Sequence, residues 1–413
     1  MKKSAKNIHI IGAGVSGLIA AQVLEKNGYT PIILEATDRV GGRLKTDIVE
    51  NYQLDHGFQV LLTSYPAARK YLDFDALELQ RFLPGAAIFK KGNQVTLGDP
   101  LRNISLLLPT LFSGIGSIKD KLKVLSLNAK LKNKQLSEIF ETKEISTMMY
   151  LQEFGFSSQM IDTFFKPFFS GIFLEPELET SSRMFEFVYK MFGNGHAALP
   201  KAGIEAIPKQ LLQKLKHSKI QYNTAVSSVT AKEIVLRNGD KIATDMVIIA
   251  TDPSYLLKDF KGNTVFWKSC DTLYFETINR KIAKPLIGLL PDHNTTIVNN
   301  IFYHTSIATS KKANKELLSV TVTKDHVLSD EELINRVEAE LKQYFGIDSI
   351  RFIKNYKINK ALPQLQNIKY DIAPSDTQYD STIFLAGDTQ LNGSLNAAML
   401  SGEAAALGVI EAL

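Results

Sequence analysis

Apolar residues along this chain come in short runs, each ended by glycine or by a single acid. Ile8-His9-Ile10-Ile11 reads as a strand, and Gly12, Gly14 and Gly17 follow it at once. Leu18-Ile19-Ala20-Ala21-Gln22-Val23-Leu24 is helix-like, and Pro31-Ile32-Ile33-Leu34 is strand-like and closes on Glu35. Strand, glycine turn, helix and strand predict a βαβ unit. Further on, Glu233-Ile234-Val235-Leu236-Arg237 and Asp240-Lys241-Ile242 flank Asn238-Gly239, which predicts a hairpin with a type I′ turn. Thr272-Leu273-Tyr274-Phe275 and Ser319-Val320-Thr321-Val322-Thr323 read as strands, and Asp330 to Phe345 as a helix with Ser329 at its N-cap. Near the C-terminus Phe384-Leu385-Ala386 is an apolar strand ending at Gly387-Asp388. A turn through Gly393 then enters an alanine-rich helix.

The spacing Gly12-Ala13-Gly14-Val15-Ser16-Gly17, with an acid eighteen residues later, is the dinucleotide-binding fingerprint. Gly12 allows the tight turn, Gly14 lets a pyrophosphate approach the backbone, and Gly17 lets the helix lie close to the strand. The diphosphate is expected on free amides at the helix N-terminus, where the helix dipole favours negative charge. Glu35, followed by Ala36, is placed to accept hydrogen bonds from a ribose. Arg39-Val40-Gly41-Gly42-Arg43 lies too far beyond Glu35 to serve that ribose. Its glycine pair makes a second backbone approach to phosphate, with a guanidinium to neutralise the charge.

Composition narrows the class. The 413 residues are 45% hydrophobic and 22% charged, which excludes global disorder and allows two or three domains. A net charge of +5 is too mild to imply nucleic acid. The single cysteine, Cys270, permits neither an internal disulfide nor a cysteine-based metal site, and no metal is expected. A reducing interior such as the cytoplasm fits that cysteine count. Lys2, Lys3 and Lys6 before an apolar run suggest a secretory signal, but the glycines interrupt it too early. No uncharged run is long enough to span a bilayer.

With the Gly-Gly-Arg element after the first two strands, the chain resembles the flavin-containing amine oxidase superfamily. That superfamily includes amine oxidases, protoporphyrinogen oxidase and the phytoene and squalene-pathway desaturases. Asp55-His56-Gly57-Phe58-Gln59, then Tyr65-Pro66, is similar to the desaturase segment that passes beside the flavin ring. Pro200-Lys201-Ala202-Gly203 resembles the family's proline-glycine turn into a helix, with Ala202 in place of the usual second glycine. Asp245 to Ala250 and Thr251 resembles a strand of its FAD domain, and Val226 matches the position whose backbone meets the adenine. Ala361-Leu362-Pro363-Gln364 is similar to a substrate-domain exit of the porphyrinogen oxidase and desaturase branches. The resemblance implies non-covalent FAD. It also implies that Asp388, after Gly387, holds the ribityl hydroxyls, and that the amides of Leu395, Asn396 and Ala397 face the flavin N1/O2 edge.

Motifs at both ends and in the middle require a discontinuous cofactor domain. The expected fold class is α/β: a Rossmann-like FAD-binding domain from residues 1–72, 196–255 and 366–413, with an inserted α+β substrate domain from 73–195 and 256–365. Ten phenylalanines between Phe154 and Phe192 make an aromatic-lined cavity for a lipophilic substrate plausible, although each one singly suits a core. The run Lys166 to Phe173 is similar to the desaturase branch and points to a polyene, isoprenoid or tetrapyrrole.

Ile104 to Ile118 carries no charge and is followed by Lys119, Lys121, Lys123, Lys130, Lys132 and Lys134. The favoured reading is a buried helical hairpin with a solvated basic face, and the alternative is peripheral contact with the inner face of a membrane. The expected reaction is dehydrogenation by hydride transfer to flavin N5, with oxygen or a quinone as the electron acceptor. Carbon–carbon desaturation is the first reading, amine or porphyrinogen oxidation the second, and a non-catalytic flavoprotein the third. No catalytic residue is assigned. Lys268 and Lys324 lack a motif for the amine oxidase lysine, Tyr274 and Tyr356 are weak candidates for an amine cage, and Cys270 sits in the substrate insertion, away from the flavin motifs.

Overall fold

The computed structural model describes residues 6–413 apart from 91–92, 100–101, 107, 109, 111–112, 259, 261, 263–264, 292–294 and 312. Its N-terminal apolar runs form a six-stranded sheet. The spatial order is Lys219–Gln221, Ile32–Leu34, Ile8–Ile11, Met246–Ile249, Ile383–Leu385 and Gln378–Asp380. All neighbours are parallel except the last pair. These strands come from three separate stretches of sequence. A parallel sheet is covered on both faces, which is why Ile8–Ile11 and Met246–Ile249 are buried at every position.

One covering helix, Val15–Lys26, crosses a second, Leu395–Ala412, at close range. A Cβ on Gly402 would collide with the Ser16 carbonyl, so glycine sets the approach. Leu18, Ile19 and Leu24 are fully buried there, each worth about 1.5–3 kcal/mol by area.

A second, seven-stranded sheet runs in the order Ile350–Gln364, Phe266–Thr277, Glu316–Val322, Val298–Tyr303, Ile287–Leu289, Gly85–Lys90 and Asn93–Gly98. Helix Asp330–Glu340 continues as a π-turn to Phe345 and covers one face with Leu333, Val337, Leu341 and Phe345. Ser329 and Glu332 form a reciprocal capping box at its start. A helical layer lies elsewhere against this sheet: Lys166–Phe173 meets Val298–Tyr303 where Gly171 leaves room for Asn299 and Asn300. The main core extends from Ile10 of the parallel sheet through Leu127 to Phe165 and Phe185 of the helical layer. Residues on either side of position 72 therefore share one core.

Two local expectations change. The hairpin Glu233–Leu236/Lys241–Ala243 forms, but only Gly239 has positive φ (93°) and its amide donates to Leu236 O. A three-residue loop with glycine in the left-handed region replaces the type I′ turn. The apolar segment 104–118 is not a buried helical hairpin among the described residues: Leu106 and Ile115 are buried, but Leu108 and Ile118 are 64% and 78% exposed. Positions 107, 109 and 111–112 and the Ile104 side chain lie outside the described residues.

Helix Ile118–Asn133 follows, and its basic face is only partly solvated. Lys130 and Lys134 turn onto buried Glu186, while Lys190 caps the helix C-terminus through Leu131 O and Lys132 O. No described helix is long and apolar enough to cross a membrane.

Candidate functional site

The first glycine turn is held by backbone bonds and closed by its neighbours. The Gly12 amide donates to Leu34 O at 2.8 Å, its φ is 101°, and a Cβ there would come 3.1 Å from Ala250 O. Gly17 abuts the Gly12 carbonyl and Ile10. Gly14 is different. It occupies the N-cap of Val15–Lys26, yet no heavy atom lies within 4 Å of where its Cβ would stand. Glu35, 7% exposed, accepts from the Ala13 amide at 2.8 Å and from the Thr37 amide and hydroxyl. Three donors thus fix a buried carboxylate at the strand end.

The second glycine turn lies on the first. Gly41 N donates to Ala13 O at 3.0 Å, and a Cβ on Gly42 would sit 3.5 Å from the Gly14 Cα. Gly41 and Gly42 both have positive φ, 122° and 59°. The two arginines around this pair diverge. Arg43 donates to Asp388 and Ala361 O and lies 5.2 Å over the Trp267 ring. Arg39 turns away to Asp47 at 2.7 Å and to Glu205.

Both turns open into one cavity of about 1670 Å³. Of the sequence candidates, Gly12, Gly14, Val15, Ser16, Glu35, Ala36, Gly41, Gly42 and Arg43 line it. So do Gly57, Phe58, Gln59, Val226, Ala250, Thr251, Gly387, Asp388 and Leu395. Five do not line it. Ala13 serves through its amide to Glu35, Gly17 through helix approach, and Arg39 is held by its carboxylates. Asn396 is fully buried and accepts from the Ala67 amide at 3.0 Å, tying its helix to Pro66–Tyr71. The Ala397 amide already donates to the Ser394 hydroxyl, so only the earlier first-turn amides remain for a ligand.

The cavity also takes residues that the motifs did not single out. Trp267 comes from strand Phe266–Thr277 and Lys360 from its long partner Ile350–Gln364. Lys360 donates to Asp252 at 3.0 Å and to the Tyr255 hydroxyl. The Trp267 indole N–H is buried without a protein acceptor among the described residues, a donor waiting for a ligand oxygen or nitrogen. Trp267 and Lys360 lie 250 positions and more from the first glycine turn, and no local pattern marks them.

Beyond the turns, His56, Gly57 and Phe58 form part of the wall. Asp47, gripped by Arg39, His56 and the Tyr356 hydroxyl, has its carboxyl held well below the usual range by these partners against the opposing effect of burial. Phe164, Phe168, Phe169 and Phe192 face the cavity, with Phe82, Met160, Met184 and Val188. The other phenylalanines of that run pack in the core. Tyr274 and Tyr356 do not face the cavity; their hydroxyls go to Asp55 O and Asp47. Lys268 and Lys324 are engaged with Thr180 and with Thr296 O. Cys270 does line the wall, and burial pushes its thiol up to about 12.

An open face at Gly14, a second glycine turn against it, an acid at the next strand end and an orphaned indole donor fit a dinucleotide. Common ligand sites span about 300–1,000 Å³, so this cavity has room for a cofactor and a second molecule.

A model of the family described as "Flavin containing amine oxidoreductase" matches residues 15–410. An L-amino-acid oxidase of Sistrurus catenatus edwardsii is 42% identical over 77 residues, 19% of this chain and 15% of the snake protein. A mitochondrial protoporphyrinogen oxidase of Nicotiana tabacum is 30% identical over 172 residues, 41% of this chain and 32% of that protein. The matched stretches thus span less than a third of either relative. Among solved structures, a redesigned putrescine oxidase has a TM-score of 0.71 at 16% identity, over 98% of this chain and 99% of that one. An oxidoreductase from Methanosarcina mazei gives 0.71 at 16%, over 98% and 100%. These structures share the fold.

Proposed function

The chain belongs to the flavin containing amine oxidoreductase family, and on that premise we propose that it holds FAD non-covalently and dehydrogenates a lipophilic small molecule. The bond oxidised is a carbon–carbon single bond that becomes a double bond, as in isoprenoid desaturation. One observation carries the reading: the glycine cradle and the phenylalanine-lined chamber are parts of a single cavity.

FAD, when bound, would supply a two-electron acceptor for a hydride, with oxygen or a quinone as the onward acceptor. The chain's residues supply the rest. The N-terminus of Val15–Lys26 would hold the diphosphate, Glu35 the adenosine ribose, and the Arg43–Asp388 pair the middle of the cofactor. Phe164, Phe168 and Phe169 exclude water and hold an apolar substrate in place. Cys270 stays a neutral thiol at its raised pKa and is a poor nucleophile for flavin attachment.

The reading includes peripheral contact with the inner face of a membrane, through exposed Leu108, Ile118, Leu122 and Leu125 beside Lys119 and Lys132. The test is the visible spectrum of purified protein, with mass spectrometry of the released cofactor and of any co-purified lipid. Flavin bands and an apolar passenger are expected. Protein that stays colourless after incubation with excess FAD overturns the assignment. Failure to co-sediment with anionic liposomes at low salt overturns the membrane part alone.

A further inference from the structure

Among the described residues, several side-chain polar atoms are buried without a partner, and only Nε1 of Trp267 belongs to the cavity wall. Native folds leave few buried donors unpaired, because each one costs the hydration it gave up. An indole N–H is a donor with no acceptor of its own, so the missing group is an oxygen or an unprotonated nitrogen.

The ring around that donor is held from several sides. Trp267 pairs with Pro363 across the long strands Phe266–Thr277 and Ile350–Gln364. Arg43 Cζ lies 5.2 Å and Lys360 Nζ 5.5 Å from its ring centroid. Both cations are already matched: Arg43 by Asp388 and Ala361 O, Lys360 by Asp252 at 3.0 Å and the Tyr255 hydroxyl at 3.2 Å. The charges beside the ring thus pair off, and the indole N–H does not. Cations over an aromatic ring draw on its electron-rich face, which makes the positive N–H edge a better donor to a negatively polarised oxygen.

Position selects the ligand. Arg43 directly follows Gly42, whose turn packs on Gly14, so the indole stands at the glycine end of the cavity. We propose that Trp267 anchors the cofactor: its N–H donates to an oxygen of the ribityl–diphosphate stretch of FAD. The inference rests on the FAD reading above. It adds a grip from the seven-stranded sheet to the one that the glycine turns and Glu35 provide from the parallel sheet.

The chain contains one tryptophan, so protein made with isotope-labelled tryptophan shows a single indole N–H resonance. Titrating the flavin-free full-length chain with FAD is expected to move that proton downfield as a hydrogen bond forms. Trp267→Phe keeps an aromatic ring in the strand and removes the donor. Its Kd for FAD is expected to rise about tenfold or more where a phosphate oxygen accepts, and about threefold to tenfold where a ribityl hydroxyl does. Riboflavin tells these two apart: a downfield shift with bound riboflavin as well as FAD assigns the ribityl group, and a shift with FAD alone assigns the diphosphate. A resonance that stays in place while flavin absorbance reports full loading overturns the anchor and leaves the FAD reading standing. So does a variant that binds FAD as tightly as wild type. Protein that takes up no flavin removes the FAD reading and the anchor with it. The wild-type resonance decides the question even if Trp267→Phe does not fold.

Discussion

Gly14→Ala separates the cofactor's demands from those of the fold. The Gly14 backbone has φ −73° and ψ −179°, which any residue adopts, and no atom lies within 4 Å of the new methyl. Alanine is a poorer N-cap than glycine by less than about 1 kcal/mol. The smaller unfolded-state entropy returns about 0.4–1 kcal/mol. The apoprotein should therefore keep its stability to within about 1 kcal/mol.

In the proposed placement of FAD, the methyl would occupy the open space through which a phosphate approaches the first amides of the helix. Losing one charge-assisted hydrogen bond costs about 1.5–3 kcal/mol, or about tenfold to 150-fold in Kd. At FAD one hundred times the wild-type Kd, ligand stabilisation is about 2.7 kcal/mol for wild type and about 0.4 kcal/mol for a hundredfold weaker variant. Flavin-fluorescence titration and thermal melts with and without FAD read both numbers. A variant that binds FAD within twofold of wild type refutes the placement of the diphosphate at Gly14.

Three further outcomes are expected. Gly17→Ala drives its methyl into the Gly12 carbonyl and should cost about 3 kcal/mol, read as a lower urea midpoint; an unchanged midpoint removes the close-approach argument. Arg43→Gln strips buried Asp388 of its partner and should weaken FAD about tenfold; the added Asp388→Asn should recover part of the lost stability, and purely additive losses would mean that the pair is not coupled. Asp55 is buried, and burial pushes its carboxyl from 3.8 up to about 6 despite hydrogen bonds from Thr46 and Ile204. Because the folded state holds that proton more tightly, the contribution is complete below 3.8 and is lost as pH rises through 6, about 3 kcal/mol in all. Urea unfolding of Asp55→Asn between pH 4 and 7 should lack that downward slope, and parallel wild-type and variant curves would contradict it.

The glycine turns were legible because the physics there is local. A phosphate that reaches the backbone, and a helix that touches its own strand, both demand glycine at fixed spacing. Gly12 and Gly17 meet across five residues. Which polar side chain enters the cavity is decided at long range. Arg39 and Arg43 are alike in sequence, yet Asp47 and Glu205 draw one out of the site while Asp388, 345 positions away, draws the other in. Trp267 and Lys360 reach the site through an antiparallel pairing of two long strands that no period in the sequence encodes.

Even near signals compete. Ser394 precedes the terminal helix as a standard cap, and by taking the Ala397 amide it removes one of the donors that the resemblance gave to the flavin. Backbone requirements can be read along a chain, whereas the partners of a buried charge emerge only when the elements close around it.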